Sequence, residues 1–246
     1  MADTLVVIPA WNEAATVANV VSSVRGAGFD VLVVNDGSAD DTSALAAGAG
    51  AVVVDLPFNM GVGAALRCGF KYAVRAGYNT VVQCDADGQH PVEHISALLA
   101  LADETGAHMV IGSRFAANSG SSMALHPVRR LAMWMLSSSA SRATGTTISD
   151  ASSGFRAIRG DLLRQLAVHL PTYYLGDTYE AVIAAGRAGY RVVEIPAPLS
   201  ERLHGESSAG TLRAAKLTTR AFATAALHIH RRLDPPSAPV ATVEPG

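Results

Sequence analysis

The densest chemistry in the chain lies in Cys84-Asp85-Ala86-Asp87-Gly88-Gln89-His90-Pro91, where one residue separates two carboxylates. Alternate side chains of an extended segment share a side, so Asp85 and Asp87 face the same way, with Gln89 next in the same alternation. Hard oxygen donors in this pattern suit an octahedral Mg²⁺ or Mn²⁺ that also binds phosphates. Two further clusters carry polar groups in short order, Ile8-Pro9-Ala10-Trp11-Asn12-Glu13 and Asn35-Asp36-Gly37-Ser38. Taken singly, Asn12 or Ser38 reads as a helix cap. Brought together, Glu13, Asp36, Asp85 and Asp87 repel one another unless a cation or a donor-rich ligand stands between them.

The elements around these clusters bring them together. Continuous apolar runs at Thr4–Ile8, Val31–Asn35, Ala51–Asp55, Thr80–Cys84 and His108–Gly112 predict strands covered on both faces. Helical patterns fall between them at Ala14–Arg25, Asp41–Ala47, Gly63–Ala76 and Val92–Glu104, with Gly26, Gly48 and Gly77 at their ends. Such alternation predicts an α/β fold with a mainly parallel central sheet and helices on both faces. Ligands of such sheets bind at the carboxyl ends of the strands, which is where every cluster falls. The second half predicts a small polar mobile loop at Ala116–Ser122 and helices at Pro127–Ser141, Asp161–Leu170, Thr178–Gly186 and Thr211–Arg232. It adds a strand at Arg191–Ile195. Residues 1–210 then form the α/β domain, 211–232 a basic amphipathic helix, and 233–246, rich in Pro, Ala and Val, a disordered tail.

Composition sets the outer limits. The chain has 246 residues, 49% of them hydrophobic and 16% charged, with mean hydropathy +0.24, so it buries a core without staples and is not a disordered chain. A net charge of −2 gives no reason to expect a nucleic-acid partner. Two cysteines, Cys68 and Cys84, build no disulfide framework, and no signal peptide or apolar run of about 20 residues is visible. A cytoplasmic protein is expected, peripheral on the cytoplasmic face of a membrane if it touches one.

In chain order the sequence presents Ile8-Pro9-Ala10-Trp11-Asn12-Glu13, Val34-Asn35-Asp36-Gly37-Ser38 with Asp41-Thr42, and Asn59-Met60-Gly61-Val62-Gly63. Then follow Asp85-Ala86-Asp87-Gly88-Gln89-His90-Pro91, Gly112-Ser113-Arg114 and Ser153-Gly154-Phe155-Arg156. This ordered set resembles the family-2 glycosyltransferases of GT-A fold, a Rossmann-like nucleotide-diphospho-sugar transferase architecture. Within them it is most similar to the dolichyl- and polyprenyl-phosphate mannose and glucose synthases. The resemblance implies that Pro9, Ala10, Trp11, Glu13, Gly63 and Ala86 line the nucleotide-sugar pocket, with Asp36 on the base. It implies that Asp85, Asp87 and Gln89 hold Mg²⁺ or Mn²⁺, that Arg114 faces the substrate phosphates and that Arg202 reaches the donor diphosphate. The implied reaction is inverting transfer from a nucleotide-diphosphate sugar of the GDP-mannose or UDP-glucose type. Gly61-Val62-Gly63-Ala64-Ala65-Leu66 imitates a dinucleotide fingerprint, but Leu66 stands where its third glycine belongs.

The acceptor decides which other residues matter. A sugar or metabolite hydroxyl needs a carboxylate base, and Asp150 is the candidate. A polyprenyl phosphate is already ionised at neutral pH and needs positive charge, best supplied by arginine forks. Asp87, Arg114 and Asp150 are therefore the candidate catalytic residues, and Arg114, Arg129 and Arg130 the candidate acceptor-phosphate residues. Between Pro127 and Ser149 there are three arginines and no acid, and residues 201–232 hold six Lys/Arg against two Glu. Beside Met133, Trp134, Met135 and Leu136, this basic stripe reads either as a surface for anionic lipid or as an ordinary helix with its apolar side packed inward. The arginines favour a polyprenyl-phosphate acceptor; a hydroxyl acceptor, or a non-catalytic nucleotide-sugar-binding module, is the alternative.

Overall fold

The computed structural model describes residues 3–115, 127–170, 177–197 and 233–237. In chain order these form Thr4–Ala10 (β1), Val17–Gly26 (α1), Asp30–Asn35 (β2), Thr42–Gly48 (α2), Val52–Asp55 (β3), Val62–Arg75 (α3) and Thr80–Gln83 (β4). A 3₁₀ turn at Val92–His94 leads into Ile95–Thr105 (α4) and Met109–Ser113 (β5). Pro127–Thr144 (α5), Arg156–Arg159 (β6), Gly160–His169 (α6), Asp177–Arg187 (α7) and Val192–Pro196 (β7) complete the order. The strands form one sheet in the order β3-β2-β1-β4-β6-β5-β7. It is parallel except at β6, which runs antiparallel to both β4 and β5.

Alternation along the central strands divides the core in two. On one face Leu5, Val7, Leu32 and Val34 meet Leu66 and Phe70 of α3 and the leucines of α6. On the other, Val6, Ile8, Val31 and Val33 meet Val17 and Val21 of α1 and Ile95 and Leu98 of α4. Strands buried from both sides need the continuous apolar runs that the sequence supplies. The edge strand β3 is thinner, and Val52 on it is about half exposed. Among the described residues no helix is long and apolar enough to cross a membrane.

Several boundaries move for identifiable reasons. β1 continues through Pro9 to Ala10, because the Ala10 carbonyl accepts the Asp36 N–H at 2.8 Å. The helix expected from Ala14 starts only at Val17, and the turn before it is tied to the segment after β2 by the N–H groups of Asn12, Glu13 and Ala14, which donate to the side chains of Ser38, Thr42 and Asp40. The helix expected from Val92 opens as a 3₁₀ turn behind Pro91, a common tightening of a first turn. β6 is not expected from the sequence at all: Arg-Ala-Ile-Arg is short and charged at both ends. It can be a central strand because the buried Arg156 guanidinium donates to the backbone carbonyls of Ser153 and Thr178.

Of the tail expected over residues 233–246, the structure describes 233–237, and residues 238–246 lie outside the described residues. Leu233 is buried in the core, Asp234 accepts from the Gln165 amide, and the Ser237 N–H donates to Asp161 on α6. The segments Ala116–Ser122 and 211–232 lie outside the described residues.

Helix α3 lies so close to β1 that a side chain at Gly69 has no room: a Cβ there would stand 2.4 Å from Val7 Cγ1. Val7 is fully buried and branched at Cβ, so it cannot swing away. Gly69→Ala is expected to destabilise the protein by about 1–3 kcal/mol through overpacking, read as a lower urea midpoint with unchanged slope. An unaltered midpoint would mean that α3 separates from β1 at no cost.

Candidate active site

Register aligns the strand ends. Ala10 of β1 pairs with Asn35 of β2, and Asn35 with Asp55 of β3, so the segments after these strands leave along one edge. Antiparallel β6 contributes from the opposite direction. Its first residue, Arg156, is level with Gln83 of β4 and Ile111 of β5, so the residues that lead into β6 sit among those that leave its neighbours.

The loops after β1 and β2 are laced together. Asn12 adopts a left-handed backbone (φ 55°), a conformation that asparagine tolerates better than most residues. Its N–H donates to Ser38 Oγ at 2.9 Å and its Oδ1 accepts the Ala39 N–H at 2.8 Å. The Glu13 N–H donates to Thr42 Oγ1. Buried Asp36 reaches the loop after β3, accepting the N–H of Met60 at 2.7 Å on Oδ1 and that of Gly61 at 2.8 Å on Oδ2. Asp36 therefore ties the loop after β3 to the end of β2, and each of its oxygens keeps a lone pair for a further donor. Trp11 stands half exposed at the end of β1, with Phe58 and Met60 exposed in the loop after β3.

Past β4, Cys84 turns into the core, where burial first and the neighbouring Asp85 and Asp87 next push its thiol pKa up. Ala86 is buried between the two carboxylates in sequence. Asp87 is buried and its Oδ1 accepts the Gln89 N–H at 3.0 Å, while the Asp85 side chain is 42% exposed. Among the described residues no group of three or more His, Cys, Asp or Glu side chains forms a closed metal site. Two carboxylates and an amide are a partial shell of hard donors. This set fits Mg²⁺ or Mn²⁺, which binds through one or two carboxylates when phosphates complete the coordination. Gly154 supports the fit from the side of β6: a Cβ there would lie 2.9 Å from both carboxylate oxygens of Asp85.

Arg114, just beyond β5, is gripped by Asp150 in a two-pronged pair, Nε to Oδ2 at 2.6 Å and Nη2 to Oδ1 at 2.9 Å. Burial disfavours the guanidinium charge, but hydrogen bonding to Asp150, the charge of Asp150 and then that of Asp85 outweigh it and hold its pKa above the ordinary value. Asp150 is buried, and its Oδ1 also accepts from Ser152 Oγ. The turn that carries it is pinned by Glu194 of β7, whose Oε2 accepts the N–H groups of Ser149 (2.6 Å) and Asp150 (3.1 Å). Glu194 was not among the candidates, although a carboxylate inside the apolar run Val192-Val193-Glu194-Ile195 was a signal for it.

Pro9, Ala10, Trp11, Glu13, Asp36, Asp85, Ala86, Asp87, Gln89, Arg114 and Asp150 thus lie on or beside one sheet edge. Gly63 is buried in the first turn of α3, behind it. The backbone of Arg129 and Arg130 forms the start of α5; their side chains, and Arg202 entirely, lie outside the described residues.

Glucosyl-3-phosphoglycerate synthase from Mycobacterium tuberculosis has this architecture. Its complex with Mn²⁺, UDP-glucose and glycerol 3-phosphate matches with TM-score 0.67 at 22% identity, covering 94% of this chain and 81% of that one. The fold is that of a GT-A glycosyltransferase. Residues 5–167 match Glycosyl transferase family 2, and the chain belongs to that family. It is 34% identical over 245 residues to polyprenol monophosphomannose synthase of Mycolicibacterium smegmatis, covering 94% of this chain and 89% of that protein. It is 33% identical over 214 residues to undecaprenyl-phosphate mannosyltransferase of Micrococcus luteus, covering 82% and 86%.

The double grip of Asp36 makes a local prediction. Asp36→Asn leaves one acceptor oxygen for two N–H groups, and a hydrogen bond to a charged group contributes about 1.5–3 kcal/mol. Hydrogen exchange at the Met60 and Gly61 amides is therefore expected to accelerate at least about tenfold, with exchange in β1 and β4 unchanged. Equal protection in both proteins would show that Asp36 does not hold this loop.

Proposed function

We propose that the protein moves a hexose, with inversion at the anomeric carbon, from a nucleotide-diphosphate sugar of the GDP-mannose or UDP-glucose type to a polyprenyl phosphate. The observation that carries the acceptor reading is the Arg114–Asp150 pair. A hydroxyl acceptor needs a free base, and the candidate carboxylate is committed at both oxygens to Arg114. A phosphate monoester has its second pKa near about 6 and arrives ionised. The names of the mycobacterial and micrococcal relatives support a mannosyl donor and a polyprenyl-phosphate acceptor.

In this reading a phosphate oxygen of the acceptor attacks the anomeric carbon as the bond to the nucleoside diphosphate breaks, and no proton changes hands. Arg114, oriented by Asp150, offers its guanidinium to the substrate phosphates. The loops at Trp11–Glu13 and Asp36–Ser38 enclose the nucleotide. Asp85, Asp87 and Gln89 are the residues that would hold Mg²⁺ or Mn²⁺, which when bound neutralises the charge of the departing diphosphate. Trp134, well exposed on α5 little more than one turn beyond Arg129 and Arg130, supports peripheral contact with an anionic membrane surface on the cytoplasmic side.

Nucleoside diphosphate release with a polyprenyl phosphate acceptor tests this. Asp87→Ala is expected to abolish transfer, and excess EDTA to stop the wild-type enzyme until Mg²⁺ or Mn²⁺ is returned. Full activity in EDTA overturns the metal assignment. Arg114→Ala and Asp150→Asn are each expected to lose about 10- to 100-fold, the equivalent of a charge-assisted bond. The double variant is expected to lose no more than either, because the two act as one unit. If Asp150 were a general base, Asp150→Asn would instead lose about 10²–10⁴-fold even with Arg114 already removed.

A further inference from the structure

His90 belongs to the cluster after β4 but supplies none of the groups used above. It is buried, and its ring stacks on Phe155 of the segment leading into β6, with centroids 5.1 Å apart and planes 26° from parallel. Its Nδ1 accepts the backbone N–H of Asp85 at 2.9 Å. A ring nitrogen that accepts carries no proton, so the proton of the neutral ring is on Nε2. That nitrogen stands 3.6 Å from Oδ2 of the same Asp85, too far for a hydrogen bond but close enough for its N–H dipole to attract the carboxylate. His90 therefore holds Asp85 at both its backbone and its side chain, while Phe155 fixes the plane of the ring.

We propose that His90 is a positioning residue that presets the Asp85 carboxylate for a divalent cation, an inference that rests on the metal reading above. The side chain of Asp85 is 42% exposed, and a carboxylate so open to water wanders among rotamers unless something restrains it. Gly154 bounds it on one side, since a Cβ there would touch both oxygens, and the His90 N–H draws it from the other. A ligand held in place before the cation arrives loses less freedom on binding. Partners behind metal ligands characteristically change affinity by about 10- to 100-fold.

The test separates the two ring nitrogens. His90→Asn keeps an acceptor near the Nδ1 position and loses the Nε2 donor. His90→Gln places an amide N–H near Nε2, and His90→Phe keeps only the stacking. Mn²⁺ affinity, read by EPR with GDP or UDP present, is expected to fall about tenfold in the Asn and Phe variants and to stay near wild type in the Gln variant. Thermal unfolding of each variant accompanies the measurement, and Asn and Gln proteins of equal stability but different Mn²⁺ affinity support positioning over packing. Unchanged Mn²⁺ affinity in the Asn and Phe variants, or an equal loss in Gln and Asn, overturns the proposal. Wild-type protein that binds no Mn²⁺ overturns the metal reading and this inference together. Nitrogen-15 correlation spectra of the intact wild-type protein need no variant: a proton on Nε2 of His90 supports the assignment, and a proton on Nδ1 overturns it.

Discussion

The antiparallel strand β6, inserted between β4 and β5, is the constraint on which the active edge depends. A strand running against its neighbours delivers the residues before it to the edge where the neighbours deliver the residues after them. The Phe155 carbonyl accepts the Gly112 N–H at 2.8 Å, and Ser153 Oγ donates to the Gly112 carbonyl at 2.6 Å, so the incoming segment is stitched to the end of β5. Gly154 comes to rest against Asp85, Phe155 against His90, and Asp150 against Arg114. A parallel strand in that place would carry all of these residues to the opposite edge. The buried guanidinium of Arg156 is part of the same arrangement, because it satisfies the carbonyl of Ser153 where the chain turns into the strand.

Charge at this edge is managed by matching each carboxylate to a particular donor. Asp36 takes two backbone N–H groups, Asp87 takes that of Gln89, and Asp150 takes the fork of Arg114. These three are buried, and buried carboxylates are tolerable only when so satisfied. Asp85 is more open than any of them, and its surroundings orient it without closing it off. The result is an edge where these three buried carboxylates are fixed before any ligand arrives, while Asp85 still faces solvent. Such preorganisation suits a site that must receive a highly charged diphosphate, because the reorganisation has been done during folding.

Much of this was legible in the sequence. The parallel strands declared themselves through continuous apolar runs, and the strand-end clusters through unlike polar residues packed into a few positions. What escaped was whatever depends on distant partners. The four residues of β6 look like a charged turn until Ser153 and Thr178 supply acceptors for Arg156. Asp150 reads as a free base until Arg114, 36 residues away, is found on it. The role of Glu194 rests on Ser149 and Asp150, some 45 residues earlier, whose backbone amides and Ser149 hydroxyl donate to it. The tie between the turn before α1 and the segment after β2 is equally non-local, since the acceptors Ser38, Asp40 and Thr42 lie 26 to 29 residues from the amides they bind.

Cys84 gives the molecule a built-in reporter. Its thiol is buried one residue before Asp85, with its sulfur 3.7 Å from the Asp85 carbonyl. A reagent in solution reaches it only when the end of β4 opens, and local openings of this kind have their own free energies, distinct from global unfolding. The rate at which Cys84 is alkylated under native conditions is thus a measure of how often that strand end comes apart. Cys68, partly exposed on α3, reacts from a different place and keeps the account of solvent access separate. The stiffness of the ground beneath Asp85 and Asp87 can be followed in the unaltered chain, through a buried thiol that sits beside them.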